Sequence, residues 1–123
     1  MGARARTHLE PDEDAITAAV IEHWRVFGVR GSLVAGIPNK RAFGQAGLTS
    51  GMPDLLVLSP QLGRFTGFIE LKRARGGRLS VEQKVMRDFL LERGVPYAVC
   101  YGRDEPIAQL EAWGAVRKQR AAA

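Results

Sequence analysis

The segment from Phe65 to Lys72 limits the fold more than any other part of the chain, because its residues alternate in character with a period of two. Side chains on a β-strand point to opposite faces in turn. Phe65, Gly67, Ile69 and Leu71 therefore share one face, and Thr66, Phe68, Glu70 and Lys72 share the other. The first face can pack in a core, while on the second a carboxylate and an ammonium stand side by side. Upstream, Asp54 opens the run Leu55-Leu56-Val57-Leu58, whose unbroken hydrophobicity suits a central, buried strand. Pairing of the two runs places Asp54 next to Glu70.

Two carboxylates with a lysine beside them form a hard-oxygen site suited to Mg²⁺ or Mn²⁺, with a cation at hand to hold a water or a phosphate. Glu70 and Lys72 on an exposed face would be no more than a surface ion pair. Phe68 and Thr66 share that face, so it is at least partly covered, and a buried carboxylate needs a partner. Pro53-Asp54 is by itself an ordinary turn dipeptide; it gains meaning from Glu70 and Lys72 downstream.

The order Gly51-Met52-Pro53-Asp54-Leu55, Glu70-Leu71-Lys72, Gly77-Arg78-Leu79-Ser80-Val81-Glu82-Gln83 and Gly94-Val95 resembles the VRR-NUC family of virus-type replication-repair nucleases, within the PD-(D/E)xK superfamily. Ile37-Pro38-Asn39 with Lys40-Arg41, and Glu13-Asp14-Ala15-Ile16, also look like that family, so the resemblance runs from about Glu13 to Tyr101. A bare PD…ExK match is weak; the ordered series with Leu79-Ser80-x-x-Gln83 is much more specific. It implies an α/β fold with a restriction-endonuclease-like core, a mixed central sheet flanked by helices. The implied activity is metal-dependent endonucleolytic cleavage of DNA, with a glutamate on the first helix supporting the metal site and a glutamine beside it.

Composition agrees with a small intracellular enzyme. With 123 residues, one domain spanning 1–123 with its core at about 13–118 is expected. No apolar stretch is long enough to span a bilayer, and Met1 to Arg6 lacks the apolar centre of a secretory signal, so a cytoplasmic location in a bacterial or phage-infected cell is expected. The single Cys100, in the apolar run Tyr97 to Tyr101, reads as a core residue and leaves no multi-cysteine zinc site. A net charge of +5 and a pI near 10.0 favour a polyanionic partner. No Gly-x-x-x-x-Gly-Lys-Ser/Thr loop is present, so no nucleotide cofactor is expected.

The predicted order is helix, strand, strand, strand, helix, strand, helix. Pro11-Asp12 starts the first helix, whose Ile16, Val20, Trp24 and Phe27 share a face; a short strand covers Ser32 to Ala35, and Gly36 to Gly51 reads as a long loop or an imperfect short helix. Ser80 to Arg93 forms the second helix with Val81, Val85, Met86, Phe89 and Leu90 inward, Tyr97 to Tyr101 the last strand, and Glu105 to about Lys118 the terminal helix.

The candidate metal ligands are Asp54, Glu70, the Leu71 carbonyl and Glu13. Dipole complementation alone explains an acid at Glu13, yet it lies seven residues before Val20 and eleven before Trp24, within about 20° of each on a helical wheel, and so points from the end of the buried face toward the sheet. Glu22 points to solvent. The catalytic set is Asp54, Glu70, Lys72 and Gln83, with Lys72 orienting a water or neutralising developing charge. Gln83 has a competing reading: Ser80-Val81-Glu82-Gln83 fits a capping box, and one amide is not expected to serve cap and site in full. Lys40, Arg41, Arg73, Arg75 and Arg78 flank the motif and are the expected phosphate contacts, though each alone reads equally as a solvated charge. With the family resemblance, these imply a structure-selective nuclease acting on branched DNA such as four-way (Holliday) junctions, in replication, recombination or repair. Small stand-alone members of that family look like junction-cleaving dimers, and a homodimer is expected because one short basic surface is too small to span such a substrate. The alternative is a catalytically weak DNA-binding module that keeps the fold.

Overall fold

The computed structural model describes residues 11–38, 46–60 and 66–119, Thr66 by its backbone only. Seven elements follow one another: α1 (Glu13–Phe27), β1 (Leu33–Gly36), β2 (Leu55–Leu58), β3 (Thr66–Lys72), α2 (Val81–Glu92), β4 (Tyr97–Tyr101) and α3 (Asp104–Ala112). The four strands form one sheet in the order β1-β2-β3-β4. β1 and β2, and β2 and β3, run antiparallel, whereas β3 and β4 are parallel and α2 makes the crossover that parallel neighbours require. Among the described residues no helix is long and apolar enough to cross a membrane.

One face of the sheet carries Val34, Leu55, Val57, Ile69, Leu71 and Cys100 into the core, where Ile16 and Val20 of α1 and Leu110 of α3 meet them. Trp24 and Phe27 pack at its margin, completing the helical face read from the sequence. Asp12 caps α1 by accepting the Ala15 N–H at 2.8 Å, and Glu13 and Asp14 lie in its first turn, where carboxylates complement the helix dipole.

Three boundaries differ from expectation. Ser32 lies outside β1, because its hydroxyl accepts the Trp24 indole N–H and donates to the Val29 carbonyl. The strand instead takes in Gly36. α3 stops at Ala112, because Gly114 turns with φ +78° and sends Ala115 and Val116 into the core, where Val116 bridges to Gly28. The segment containing Lys40 and Arg41, and Phe65 at the expected start of β3, lie outside the described residues.

The largest departure concerns α2. Of its expected inward set, Leu90 is buried, but Val81, Val85 and Phe89 are 73%, 64% and 47% exposed. The cause is the helix N-terminus. Ser80 Oγ accepts the Gln83 N–H, the Gln83 side chain returns to the Ser80 N–H, and Gln83 also faces the sheet. Residues at helical spacing from it, Met86 and Leu90, then turn inward and the Val81-Val85-Phe89 line turns outward. In dilute protein, Leu90→Ala should cost about 2–5 kcal/mol and Val85→Ala no more than about 0.5 kcal/mol by denaturant unfolding. The reverse ranking would mean that the helix is rotated.

Candidate active site

The β2–β3 register sets Leu55 opposite Ile69, so the next step of the ladder brings Asp54 to Glu70 at one end of the sheet. There Asp54 Oδ2 accepts the backbone N–H of Leu71 at 2.7 Å. This bond fastens the start of β2 to the end of β3 and fixes the two carboxylates in relation to each other.

Glu70 is 1% exposed. Its Oε2 accepts the Gln83 side-chain N–H at 2.9 Å, and its Oε1 is buried with no hydrogen-bond partner. Burial, followed by the neighbouring Asp54 carboxylate, pushes the Glu70 carboxyl up to about 9. The Lys72 ammonium acts in the other direction and is outweighed. Lys72 is itself 5% exposed; its Nζ stands 3.7 Å from Glu70 Oε2 and 3.9 Å from Glu13 Oε2, contacts of charge longer than a hydrogen bond. The structure therefore brings Glu13, Asp54, Glu70, Lys72 and Gln83 together, with Lys72 between two carboxylates.

Gln83 caps α2 and also reaches into the candidate site. Its Oε1 accepts the Ser80 N–H at 2.8 Å, while its Nε2 donates to Glu70. Opposite ends of the one amide make the two bonds, so the cap leaves Nε2 free to meet Glu70. Arg73, Arg75 and Arg78 lie exposed on the turn that leaves β3 just beyond Lys72. Lys40 and Arg41 lie outside the described residues.

The β4 side of this face escaped the sequence reading. The parallel β3–β4 register sets Val99 beside Glu70 and Tyr101 beside Lys72, so Tyr97, Val99 and Tyr101 share the face of the carboxylate and the lysine. Tyr97 is half-buried, and burial followed by the Glu70 carboxylate raises its phenol. The alternation Tyr-x-Val-x-Tyr was visible; which parity meets Glu70 depends on a register that one sequence does not state.

The donor set fits a hard divalent cation. Two adjacent carboxylates, one with a partnerless buried oxygen, would gain from a positive charge that replaces a proton, and Mg²⁺ commonly takes only one or two carboxylates and keeps waters for the rest. Among the described residues no three His, Cys, Asp or Glu side chains are gathered into a ready metal cage. Glu13 stands across Lys72 from Glu70, and the Leu71 carbonyl is a candidate by position alone. A metal-free prediction follows from the raised Glu70 carboxyl. Its stabilising contribution is present below the ordinary value of 4.5 and is lost as pH rises toward about 9. With chelator present, unfolding free energy should fall across that window, and Glu70→Gln should flatten the fall. An unchanged slope in this variant would show that Glu70 is not the group responsible.

Comparison with known proteins places the chain in a family. The VRR-NUC domain family matches residues 29–104, a span that contains Asp54, Glu70, Lys72 and Gln83 but not Glu13. A solved VRR-NUC domain protein superposes with a TM-score of 0.69 at 19% identity, over 85% of this chain and 88% of that one. A solved VRR-NUC domain gives 0.58 at 23% identity, over 81% and 94% respectively. At these identities the two structures speak for the fold alone: a nuclease-like α/β arrangement with a mixed four-stranded sheet flanked by helices. No curated protein matches the chain. On the family match, the chain belongs to the VRR-NUC family of nucleases.

Proposed function

We propose that the chain is a metal-dependent, structure-selective DNA endonuclease that hydrolyses phosphodiester bonds of branched DNA, four-way junctions above all. The observation that carries this reading is the Asp54–Glu70 pair with Lys72 alongside and one Glu70 oxygen left without a partner. Asp54 serves the fold by holding the Leu71 N–H, but Glu70, buried with one oxygen unpartnered, costs folding free energy.

A bound Mg²⁺ or Mn²⁺ would polarise the scissile phosphate and make a water acidic enough to attack it. Asp54 and Glu70 would hold the ion, joined by the Leu71 carbonyl and Glu13. Asp54 is already oriented by the Leu71 N–H and Glu70 by the Gln83 amide, so little rearrangement of either is required. Lys72 offers three N–H donors in an almost closed setting, where they can orient the attacking water or meet charge developing on the phosphate. Arg73, Arg75 and Arg78 supply a positive border that draws in a polyanion, and Lys40 and Arg41 are further phosphate contacts proposed on sequence alone.

The working unit in this reading is a homodimer. The exposed face of α2 supports it, because Val81, Lys84, Asp88 and Leu91 recur at the three-four-three spacing of a helix-pairing seam. A twofold antiparallel pairing centred near Met86 sets Val81 against Leu91 of a second copy and Lys84 against Asp88, so the surface is complementary to itself in apolar area and in charge. With Glu82, Asp88 and Glu92 against Lys84 and Arg87, the helix carries no excess of positive charge to attract DNA, although the chain as a whole carries +5.

Asp54→Ala, Glu70→Ala and Lys72→Ala should each lower cleavage by about a hundredfold or more while the protein stays folded. The assay is a panel of labelled duplexes, flaps and four-way junctions in Mg²⁺ and Mn²⁺. Full activity in Glu70→Ala would remove the assignment; junction cleavage no faster than duplex cleavage would reduce it to a general endonuclease. Sedimentation at micromolar concentration should show a dimer that Val85→Asp dissociates, and a monomeric parent protein would exclude the α2 pairing.

A further inference from the structure

Gly51 lies three residues before Asp54 and has φ +84°, a conformation that side-chain-bearing residues rarely adopt. Its position is tighter than its conformation alone suggests. A Cβ built there would stand 2.5 Å from the backbone oxygen of Glu82, 2.7 Å from its carbonyl carbon and 3.2 Å from its Cβ. The atoms met first are backbone atoms of the first turn of α2, and the carbonyl carbon belongs to the peptide group that carries the Gln83 nitrogen.

That peptide group adjoins the metal-binding reading of the site from one side, and Asp54 adjoins it from the other. The Gln83 N–H donates to Ser80 Oγ at 3.1 Å, and the side chain of the same residue holds Glu70 Oε2. At the far end of Gly51-Met52-Pro53-Asp54, the aspartate holds the Leu71 N–H, one residue along β3 from Glu70. Pro53, fully buried and with its φ restricted by the ring, stiffens the short link between these ends. Loop, helix cap and strand thus close a triangle around Glu70, and one corner consists of two backbones in direct contact.

We infer that Gly51 is a positioning residue: its bare Cα lets the first turn of α2 settle against the Asp54 segment, and so places the Gln83 amide on Glu70. Ordinary van der Waals contact begins at 3.4 Å, so a methyl at 2.5 Å from a backbone oxygen forces a separation of about 0.9 Å. A shift of that size along the Gln83–Glu70 bond, now 2.9 Å, takes it beyond hydrogen-bond reach. Glu70 then loses the group that fixes the rotation of its carboxylate, and its free oxygen no longer has a set direction.

The inference rests on the reading that Asp54 and Glu70 hold a divalent cation, and the test separates the two. Gly47 provides an internal control: its φ is +86°, but nothing lies within 4 Å of the position a Cβ would take. Gly47→Ala therefore carries the conformational strain without the backbone contact. Gly51→Asn is the opposite control, since asparagine tolerates positive φ but still carries a Cβ. Mn²⁺ affinity by calorimetry should fall about 10–100-fold in Gly51→Ala and in Gly51→Asn, and change little in Gly47→Ala. In metal-free protein, the stability losses of Gly51→Ala and Gln83→Ala should be non-additive, whereas those of Gly47→Ala and Gln83→Ala should add. Equal behaviour of the Gly51 and Gly47 variants in both measurements would overturn the inference. If the parent protein binds no Mn²⁺, the metal reading falls and the metal-free cycle still decides the positioning role. Should the Gly51 variants not fold, Ser80→Gly loosens the same turn from the helix side: hydrogen exchange at the Leu71 amide should quicken about tenfold, and unchanged exchange there would refute the coupling.

Discussion

The bond from the Leu71 N–H to the Asp54 carboxylate governs the arrangement of the site. It lies at the open end of an antiparallel pair, where the ladder of backbone bonds runs out and a side chain takes over the role of acceptor. Without it the Asp54 carboxylate would be free to turn toward water, leaving Glu70 alone under the cover of α2. With it, two carboxylates are held close in surroundings from which solvent is almost excluded. Like charges in that position repel, and the chain meets the repulsion with a retained proton, the Lys72 ammonium and the Gln83 amide. None of these fully satisfies the second Glu70 oxygen.

Much of this was legible from residue order. The period-two pattern of β3 separates Ile69 and Leu71 from Glu70 and Lys72. The structure buries the first pair in the core with α1 and α3, while Glu70 meets Gln83 of α2 and the Lys72 ammonium reaches Glu13 at the start of α1. Pairing of the two apolar runs set Asp54 beside Glu70, because one antiparallel register joins them so that both hydrophobic faces coincide. The wheel argument for Glu13 needed only the helical period and the known inward residues Val20 and Trp24.

What was not legible shares a common cause: it depends on how elements meet. On α2, apolar residues were read as inward because hydrophobicity was the only guide, yet the Gln83 side chain sets the rotation and leaves Val81, Val85 and Phe89 outside. The end of α3 was lost for a related reason, since Gly114 was outweighed by helix formers on both sides until the pairing of Val116 with Gly28 gave the turn a purpose. Tyr97 and Tyr101 join the site through a parallel register that sequence does not reveal, and the closeness of Gly51 to Glu82 is a contact between two backbones, which leaves no trace in residue type beyond the glycine itself.

The antiparallel pairing of β2 with β3 also divides the labour between the two ends of the sheet. Asp54 enters β2 and Lys72 leaves β3 at one end, so the connection from Leu58 to Thr66 must turn at the other. Lengthening a flexible connection costs little in closure entropy, about 0.6 kcal/mol for each doubling of its length. Material grafted between β2 and β3 would therefore hang from the end remote from the carboxylates. The sheet has, in effect, a carboxylate end and a handle, and an accessory module or a tether attached at the handle could vary in size without approaching Glu70.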